Sequence, residues 1–352
     1  MKPKVFFKKG THEDFFKNPQ LVLDGFERLG LSAAIKKNDF LGLKIHFGER
    51  GNKSFINPNY LFKLAHFLKE SGAKAFLFDT NTLYHGRRGN SVDHLSIAAG
   101  HGFGKLNLPI MIGDGMKGAD FIEKEIYKKH FEKCYLAAIL KDIDSLIVLS
   151  HMTGHMLTGF GCAVKNLGMG CAARRGKLAQ HCTVSPFIHK DRCVACGACF
   201  ANCSVAAIDK QGDKYAIVGE RCIGCAQCLS VCRYGAVDIS WANDSDFISE
   251  KVAEYAYAAA KSVKNCVYAN FLLYVTTECD CMNKEDEGFI PDIGVLFSDD
   301  PVAIDKAGVD LILAQNQEDP LKKAHPQINY LRQLEYGQSI GLGAMDYELV
   351  EI

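Results

Sequence analysis

Neither sign of charge is in excess in this chain. Lysine plus arginine equals aspartate plus glutamate at 41 each, so no overall field draws it to nucleic acid or to an anionic membrane surface. Long apolar runs are missing as well. The longest, such as Cys134 to Leu140 and Phe271 to Val275, fall well short of the ~20 residues that cross a bilayer. The opening residues Met1 to Gly10 return to charge at Lys8 before an export signal can form. A soluble cytoplasmic protein is expected, with neither nucleic acid nor membrane as partner.

Cysteine, by contrast, is abundant, with 15 residues. With no export signal, disulfides are a poor account of them, and metal binding in a reducing compartment is a better one. The run Cys193-Val-Ala-Cys-Gly-Ala-Cys-Phe-Ala-Asn-Cys203 recurs with the same spacing as Cys222-Ile-Gly-Cys-Ala-Gln-Cys-Leu-Ser-Val-Cys232. The likeness extends outward, since Asp191-Arg192 matches Glu220-Arg221 and Ala207-Ile208-Asp209 matches Ala236-Val237-Asp238, with Gln211-Gly212-Asp213 as the turn between the halves. A Cys-x-x-Cys-x-x-Cys loop wraps three thiolates around one cubane, and small residues such as Gly197, Ala198 and Gly224 let backbone N–H groups reach the sulfurs.

This pattern is that of a bacterial-type ferredoxin with two 4Fe-4S clusters, in which the last cysteine of each run serves the other cluster. Cys193, Cys196 and Cys199 then pair with Cys232, and Cys222, Cys225 and Cys228 with Cys203. Ser204 and Arg233 stand where such runs usually carry proline, which bears only on the local turn. A pair of zinc knuckles fits this spacing less well.

Outside the repeat, strand-like segments are expected at Val5 to Phe7, Leu41 to Phe47, Ala75 to Phe78, Ile110 to Ile112, Leu146 to Leu149, Val267 to Val275 and Ile293 to Phe297. Helical patterns lie between several of them, such as Asn59 to Glu70, and Asp300-Pro301 opens another as N-cap and first residue. At 352 residues, against roughly 150 per domain, the expectation is an α/β domain with a mostly parallel sheet, formed by 1–185 and 242–352 and interrupted by a ferredoxin-like domain at 186–241. A helix from Ser249 to Lys264 would return the chain to the sheet.

Ligands of open α/β sheets bind beyond the carboxyl ends of the strands. Those ends carry His46, Asp79, Asn81, Gly113-Asp114, Ser150-His151, the Cys279-Asp280-Cys281 segment and Ser298-Asp-Asp300. Some of these polar residues serve equally well as turn residues and N-caps. The stretch from Ser150 to His181 is dense in candidates: His151 and His155, as metal ligands on one helix face or as packing groups; Lys165 and Asn166; His181; and glycines 159, 161, 168 and 170, which let backbone approach a ligand. It matches no P-loop. Cys279 and Cys281 read either as soft ligands or redox thiols, or as inert buried cysteines. One cavity is expected to gather His46, Asp79, Asn81, His151, His155, Lys165, His181, Cys279 and Cys281, with Asn166 beside Lys165.

The segments Lys44 to Asn52, Asp79 to Tyr84, Ser150 to His155, Lys165 to Gly170, Cys279 to Cys281 and Ser298 to Asp305 together resemble the family called domain of unknown function 362, in the subgroup with an inserted ferredoxin module. His155, Lys165 and His181 also follow the order in which the nickel-pincer lactate racemase family carries a histidine, a cofactor-bearing lysine and a nickel-ligating histidine. The expected function is an iron–sulfur oxidoreductase relaying electrons between the two clusters and a flavin or additional metal on the α/β domain, with a redox protein or a small molecule as partner. The alternatives are a non-enzymatic electron carrier or redox sensor, and metal-cofactor-dependent proton abstraction.

Overall fold

The apolar alternation along the strands decides the layering. In the strand Ser145–His151, Leu146 and Val148 join the core on one face while Ile147 and Leu149 join the core on the other. A strand buried on both sides reads as a continuous apolar run, as parallel strands do. In the computed structural model, which describes residues 2–84, 86–181, 185–240, 245–282 and 287–352, this strand lies near the middle of an eight-stranded sheet.

Its strands are β1 (Lys4–Lys9), β2 (Phe40–Ile45), β3 (Lys74–Asp79), β4 (Ile110–Ile112), β5 (Ser145–His151), β6 (Asn265–Leu272), β7 (Gly294–Ser298) and β8 (Glu348–Glu351). They are ordered β8-β1-β7-β6-β5-β2-β3-β4, and all neighbours pair parallel except that β7 runs against both β6 and β1. Helices α1 (Gln20–Arg28), α2 (Phe62–Glu70) and α3 (Ser91–Gly100) cover one face. On the other face α4 (Ala163–Gly168) is followed by α5 (Arg174–His181), and then come α6 (Ser245–Ala260) and α7 (Pro301–Gln315). None of the helices among the described residues is long and apolar enough to cross a membrane.

The expected mixed α/β fold with a large, mostly parallel sheet is present, and its departures from expectation have local causes. The predicted strand through Val275 breaks after Leu272, where Tyr274 adopts a left-handed φ of 55°. From there to β7 the chain forms a small ribbon, Val275–Thr276 with Gly288–Ile290, in place of a crossover helix. Without a crossover the return strand must be antiparallel. Ser298 and Asp300 therefore lie at the opposite edge from the other strand ends, where Ser298 Oγ donates to the Lys4 carbonyl and Asp300 Oδ1 accepts from Val302 N and Ala303 N to cap α7. These two residues are structural. The helix predicted from Ser249 begins earlier, at Ser245.

Residues 185–240 give no strand to the large sheet. They form two ribbons, Phe187–Ile188 with Val237–Asp238 and Ile208–Gln211 with Lys214–Ile217, plus the short helices Ala198–Ala201 and Gln227–Val231. The predicted turn at Gln211-Gly212-Asp213 joins the second ribbon. The expected boundary after 241 falls outside the described residues, and so does Cys182.

Candidate functional site

The carboxyl ends of β2, β3 and β5 and the loop after β6 open on one cavity of about 450 Å³. Its lining includes His46, Asp79, His151, His155, Lys165, His181, Cys279 and Cys281. Asn81 is not among them. Two residues past β3 its side chain turns underneath, donating to Asp114 Oδ1 at 2.8 Å and to the Gly115 carbonyl at 2.8 Å.

On the β2 and β3 side the charges compensate one another within the protein. Lys44, buried in β2, lies 2.9 Å from Asp79 Oδ1 and donates to Asn166 Oδ1 at 2.7 Å. Arg88 reaches Glu49 Oε2 at 3.2 Å and Asp79 Oδ2 at 3.7 Å. Burial opposes the charge on Asp79, but Lys44 and then His94 outweigh it and hold the carboxyl well below the usual range. His46 has Arg88 Nη1 2.7 Å from its Nε2. Burial, then Arg88, drives its pKa well down and keeps the ring neutral.

At the end of β5, His151 places Nδ1 2.9 Å from Asp280 Oδ2 and Nε2 2.8 Å from the Leu273 carbonyl. Both neighbours are acceptors, so the ring donates from both nitrogens and is an imidazolium. Burial opposes this, yet Asp280 raises the pKa. His155 is the opposite case. It lies in the hairpin Thr153–His155 with Gly159–Gly161, and not on a helix face shared with His151, because the glycine-rich sequence turns back directly after β5. Its Nδ1 accepts from Leu157 N and Thr158 N, each at 3.2 Å, so the proton of the neutral ring resides on Nε2. Burial, then Lys165 and His181, lowers its pKa far below the usual histidine value.

Lys165 and Asn166 are brought to the cavity by α4, whose first turn is held from α7: Asp305 accepts from Ala163 N at 2.8 Å, Val164 N at 2.9 Å and Asn270 Nδ2 at 2.7 Å. The Asn166 amide is fully occupied, with Nδ2 donating to the Leu149 carbonyl and Ser150 Oγ, so it fastens α4 to the sheet. Lys165 extends to the Cys279 sulfur at 3.6 Å. A Cβ on Gly161 would come within 2.8 Å of Lys165 Cδ, and one on Gly168 within 2.2 Å of the Val252 carbonyl. These glycines admit neighbouring parts of the protein, where the sequence suggested a ligand.

Cys279, Asp280 and Cys281 form a clamped turn. Ser54 Oγ donates to Asp280 Oδ1 at 2.8 Å, Glu49 N to the Asp280 carbonyl at 3.0 Å, and Tyr84 OH to the Cys281 carbonyl at 3.0 Å. A hydrogen bond from Cys281, then the Lys165 ammonium, pulls the Cys279 thiol below its ordinary range, while the same hydrogen bond and burial push that of Cys281 well above it against the pull of Lys165. From α5, Lys177 donates to Thr80 Oγ1 at 2.5 Å and the Ala172 carbonyl at 2.6 Å, and burial lowers its pKa to about 8. Burial with Lys165 takes His181 down to about 3.

Sequence reasoning passed over Arg88, Lys177 and Asp305 as site residues. Asp305 had one signal, a carboxylate at an otherwise apolar helix position, and it is fully buried. Arg88 had none, because its partners come from distant loops, whereas Lys177 lies in the candidate-rich stretch between Ser150 and His181.

The cysteine runs keep their repeat in three dimensions. Left-handed φ values recur at matching positions, Ala195 with Gly224, Gly197 with Ala226 and Ala206 with Gly235. Ala207 N donates to the Cys203 sulfur at 3.1 Å and, at the matching place, Ala236 N to the Cys232 sulfur at 3.2 Å. A second cavity is lined by Cys203 together with Cys222, Cys225 and Cys228. Burial pushes the Cys228 thiol up to about 12, with Cys225 and Cys222 adding to the rise, and burial raises Cys199, with Cys232 and Cys193 adding. Among the described residues, no group of three or more His, Cys, Asp or Glu side chains is placed to hold a single metal ion. Thiolates of a cubane bind separate irons and stand further apart than the ligands of one ion.

The two cavities approach each other through a small apolar contact, in which Leu83 and Leu178 pack against Ala226 and Ile239, with Leu229 alongside. Arg174 reinforces it by donating to Ser230 Oγ and, from Nε, to the Thr82 carbonyl at 3.0 Å.

No curated protein matches this chain. Among solved structures, a structural-genomics protein from Thermotoga maritima is similar at 9% identity and a TM-score of 0.38, over 79% of this chain and 55% of that one. The lactate racemase apoprotein from Thermoanaerobacterium thermosaccharolyticum is similar at 15% identity and a TM-score of 0.39, over 78% of this chain and 51% of that one. The chain thus spans about half the length of each. The family described as domain of unknown function (DUF362) matches residues 41–310, and the chain belongs to it.

Proposed function

We propose that the chain is an iron–sulfur oxidoreductase, with one 4Fe-4S cluster on Cys193, Cys196, Cys199 and Cys232, a second on Cys222, Cys225, Cys228 and Cys203, and a reactive cavity on the α/β domain. The observation that carries this reading is the apolar cluster shared by Leu83, which lines the large cavity, and Ala226, which lines the small one beside Cys225. The clusters would supply single electrons, and a flavin or an additional metal in the cavity would match these to two-electron chemistry. Lys165, His155 and His181 are the side chains available to hold such a group, and Lys44, Lys177 and Arg88 favour an anionic ligand.

The test is metal and cofactor analysis of anaerobically purified protein. It should find two clusters' worth of iron and sulfide together with a flavin or further metal, the latter lost in His155→Ala while cluster absorption is unchanged. Cys196→Ala should damage a cluster and spare the cavity group. Cluster iron alone in the parent protein would favour a pure electron carrier.

Proton abstraction is a second reading, favoured by the placement of His155, Lys165 and His181 around one cavity with both rings neutral. With Nδ1 occupied by backbone N–H groups, His155 offers a proton from Nε2, which leaves His181 as the base. Loss of optical purity of a 2-hydroxy acid such as lactate, abolished by His181→Ala, would support it, and unchanged optical purity with the metal-loaded protein would exclude it.

A further inference from the structure

We propose that Cys279 and Cys281 are a redox-active dithiol that reduces an organic disulfide in the large cavity, with Cys279 as the attacking and Cys281 as the resolving thiol. The supply of electrons rests on the iron–sulfur reading, whereas the dithiol itself does not.

Three features of the geometry carry this inference. Both cysteines line the cavity and are partly accessible, while Cys134 and Cys171 are buried outside it. The residue between them, Asp280, also lines the cavity but is held by His151 and Ser54, and the two thiols are close enough to hydrogen-bond to each other. Lys165 Nζ, 3.6 Å from the Cys279 sulfur, and Cys281 N, at 3.4 Å, both favour a thiolate at Cys279. A nucleophile activated by an adjacent cation, with a second thiol two residues away, is the arrangement that thiol–disulfide exchange requires. Electron supply has a short path. Tyr84 OH bonds the Cys281 carbonyl, and its chain neighbour Leu83 packs on Ala226 beside Cys225.

In the reaction, the Cys279 thiolate bonds one sulfur of the substrate, the substrate S–S bond breaks, and the leaving thiolate takes a proton from Lys165. The Lys165 amine then takes the Cys281 proton. Cys281 bonds the Cys279 sulfur and expels the second substrate thiolate, which receives that proton from Lys165. The substrate has gained two electrons and two protons as two thiols, and the protein holds a Cys279–Cys281 disulfide. Two electrons and two protons restore the starting state, one electron from each of the two clusters. A disulfide closed across so short a ring is strained, which suits a labile, catalytic bond.

The experiment treats reduced, anaerobic full-length protein with glutathione disulfide and maps the peptides by mass, with iron and sulfide assayed in parallel. The parent protein should release two glutathiones and lose two hydrogens from the peptide holding Cys279 and Cys281. Cys281→Ala should retain one glutathione on Cys279, Cys279→Ser none in that peptide, and Lys165→Met should react about tenfold or more slowly. Glutathione retained on Cys281, or both thiols left free in the parent protein, would overturn the proposal. So would a stoichiometric metal lost from Cys279→Ser. A disulfide formed in protein that lacks clusters would uphold the dithiol and end the electron-relay reading, and clusters without the disulfide would do the reverse.

Discussion

The large cavity and the cysteine repeat both gather titratable side chains, yet they differ in how charge is compensated. In the cavity buried carboxylates have protein counterparts, Lys44 with Asp79 and His151 with Asp280, while Lys177 is met by neutral acceptors. In the repeat, Cys228 and Cys199 are buried beside other cysteines, and their nearest charged neighbours raise their pKa values further. The first site is complete as a folded protein. The second is built on few core residues, Ile208, Val231 and Val237 with Cys199.

That contrast is broken most severely by cutting the chain. Replacing 186–241 by a short linker should remove all cluster absorption and leave a soluble protein with the helix and sheet signal of the α/β part. Aggregation with every linker length tried would show that the sheet depends on the repeat. Lys44→Met comes next, because it leaves Asp79 buried without its closest cation. A loss of about 3–5 kcal/mol is expected by denaturant unfolding, with the iron content of folded protein unaltered. Asp305→Ala removes the cap of α4 and should cost about 1–3 kcal/mol, again without loss of iron.

The smallest effect is that of pH. His46, His155 and His181 have folded pKa values below the ordinary 6.5, His181 at about 3. The unfolded chain therefore binds protons that the folded chain refuses. Their contribution to stability is complete above pH 6.5 and falls with acid, by about 1.4 kcal/mol per pH unit for each ring within its window. His151, with a raised value, has the opposite sign: its contribution is complete below pH 6.5 and is lost as pH rises through the folded value. Thermal melts from pH 7.5 down to 5 should show the net loss, and His181→Gln should flatten the acid side. A melting temperature rising toward pH 5 would contradict the neutral assignment of these rings.

The two regions were also unequally legible in the sequence. Cysteine spacing is local, so the repeat and its turn at Gln211 to Asp213 follow from the chain itself. The cavity is assembled from loops far apart, and only the convergence of parallel strand ends makes it visible in advance. That rule placed His46, Asp79, His151, Cys279 and Cys281. It misplaced Ser298 and Asp300, because strand direction leaves no mark on apolar periodicity and β7 returns antiparallel. It also included Asn81, whose side chain turns toward Asp114. Arg88 was invisible because a cation in a loop does not announce its distant partner.

The central claim is that the repeat holds two clusters with exchanged fourth ligands. Iron and acid-labile sulfide, measured with the electron paramagnetic resonance of dithionite-reduced protein in the parent and in Cys203→Ala, test it most directly. The account predicts about four iron and four sulfide for each of two clusters in the parent, with loss confined in the variant to the cluster of Cys222, Cys225 and Cys228. Stoichiometric zinc without sulfide, or loss confined to the cluster of Cys193, Cys196 and Cys199, would contradict it.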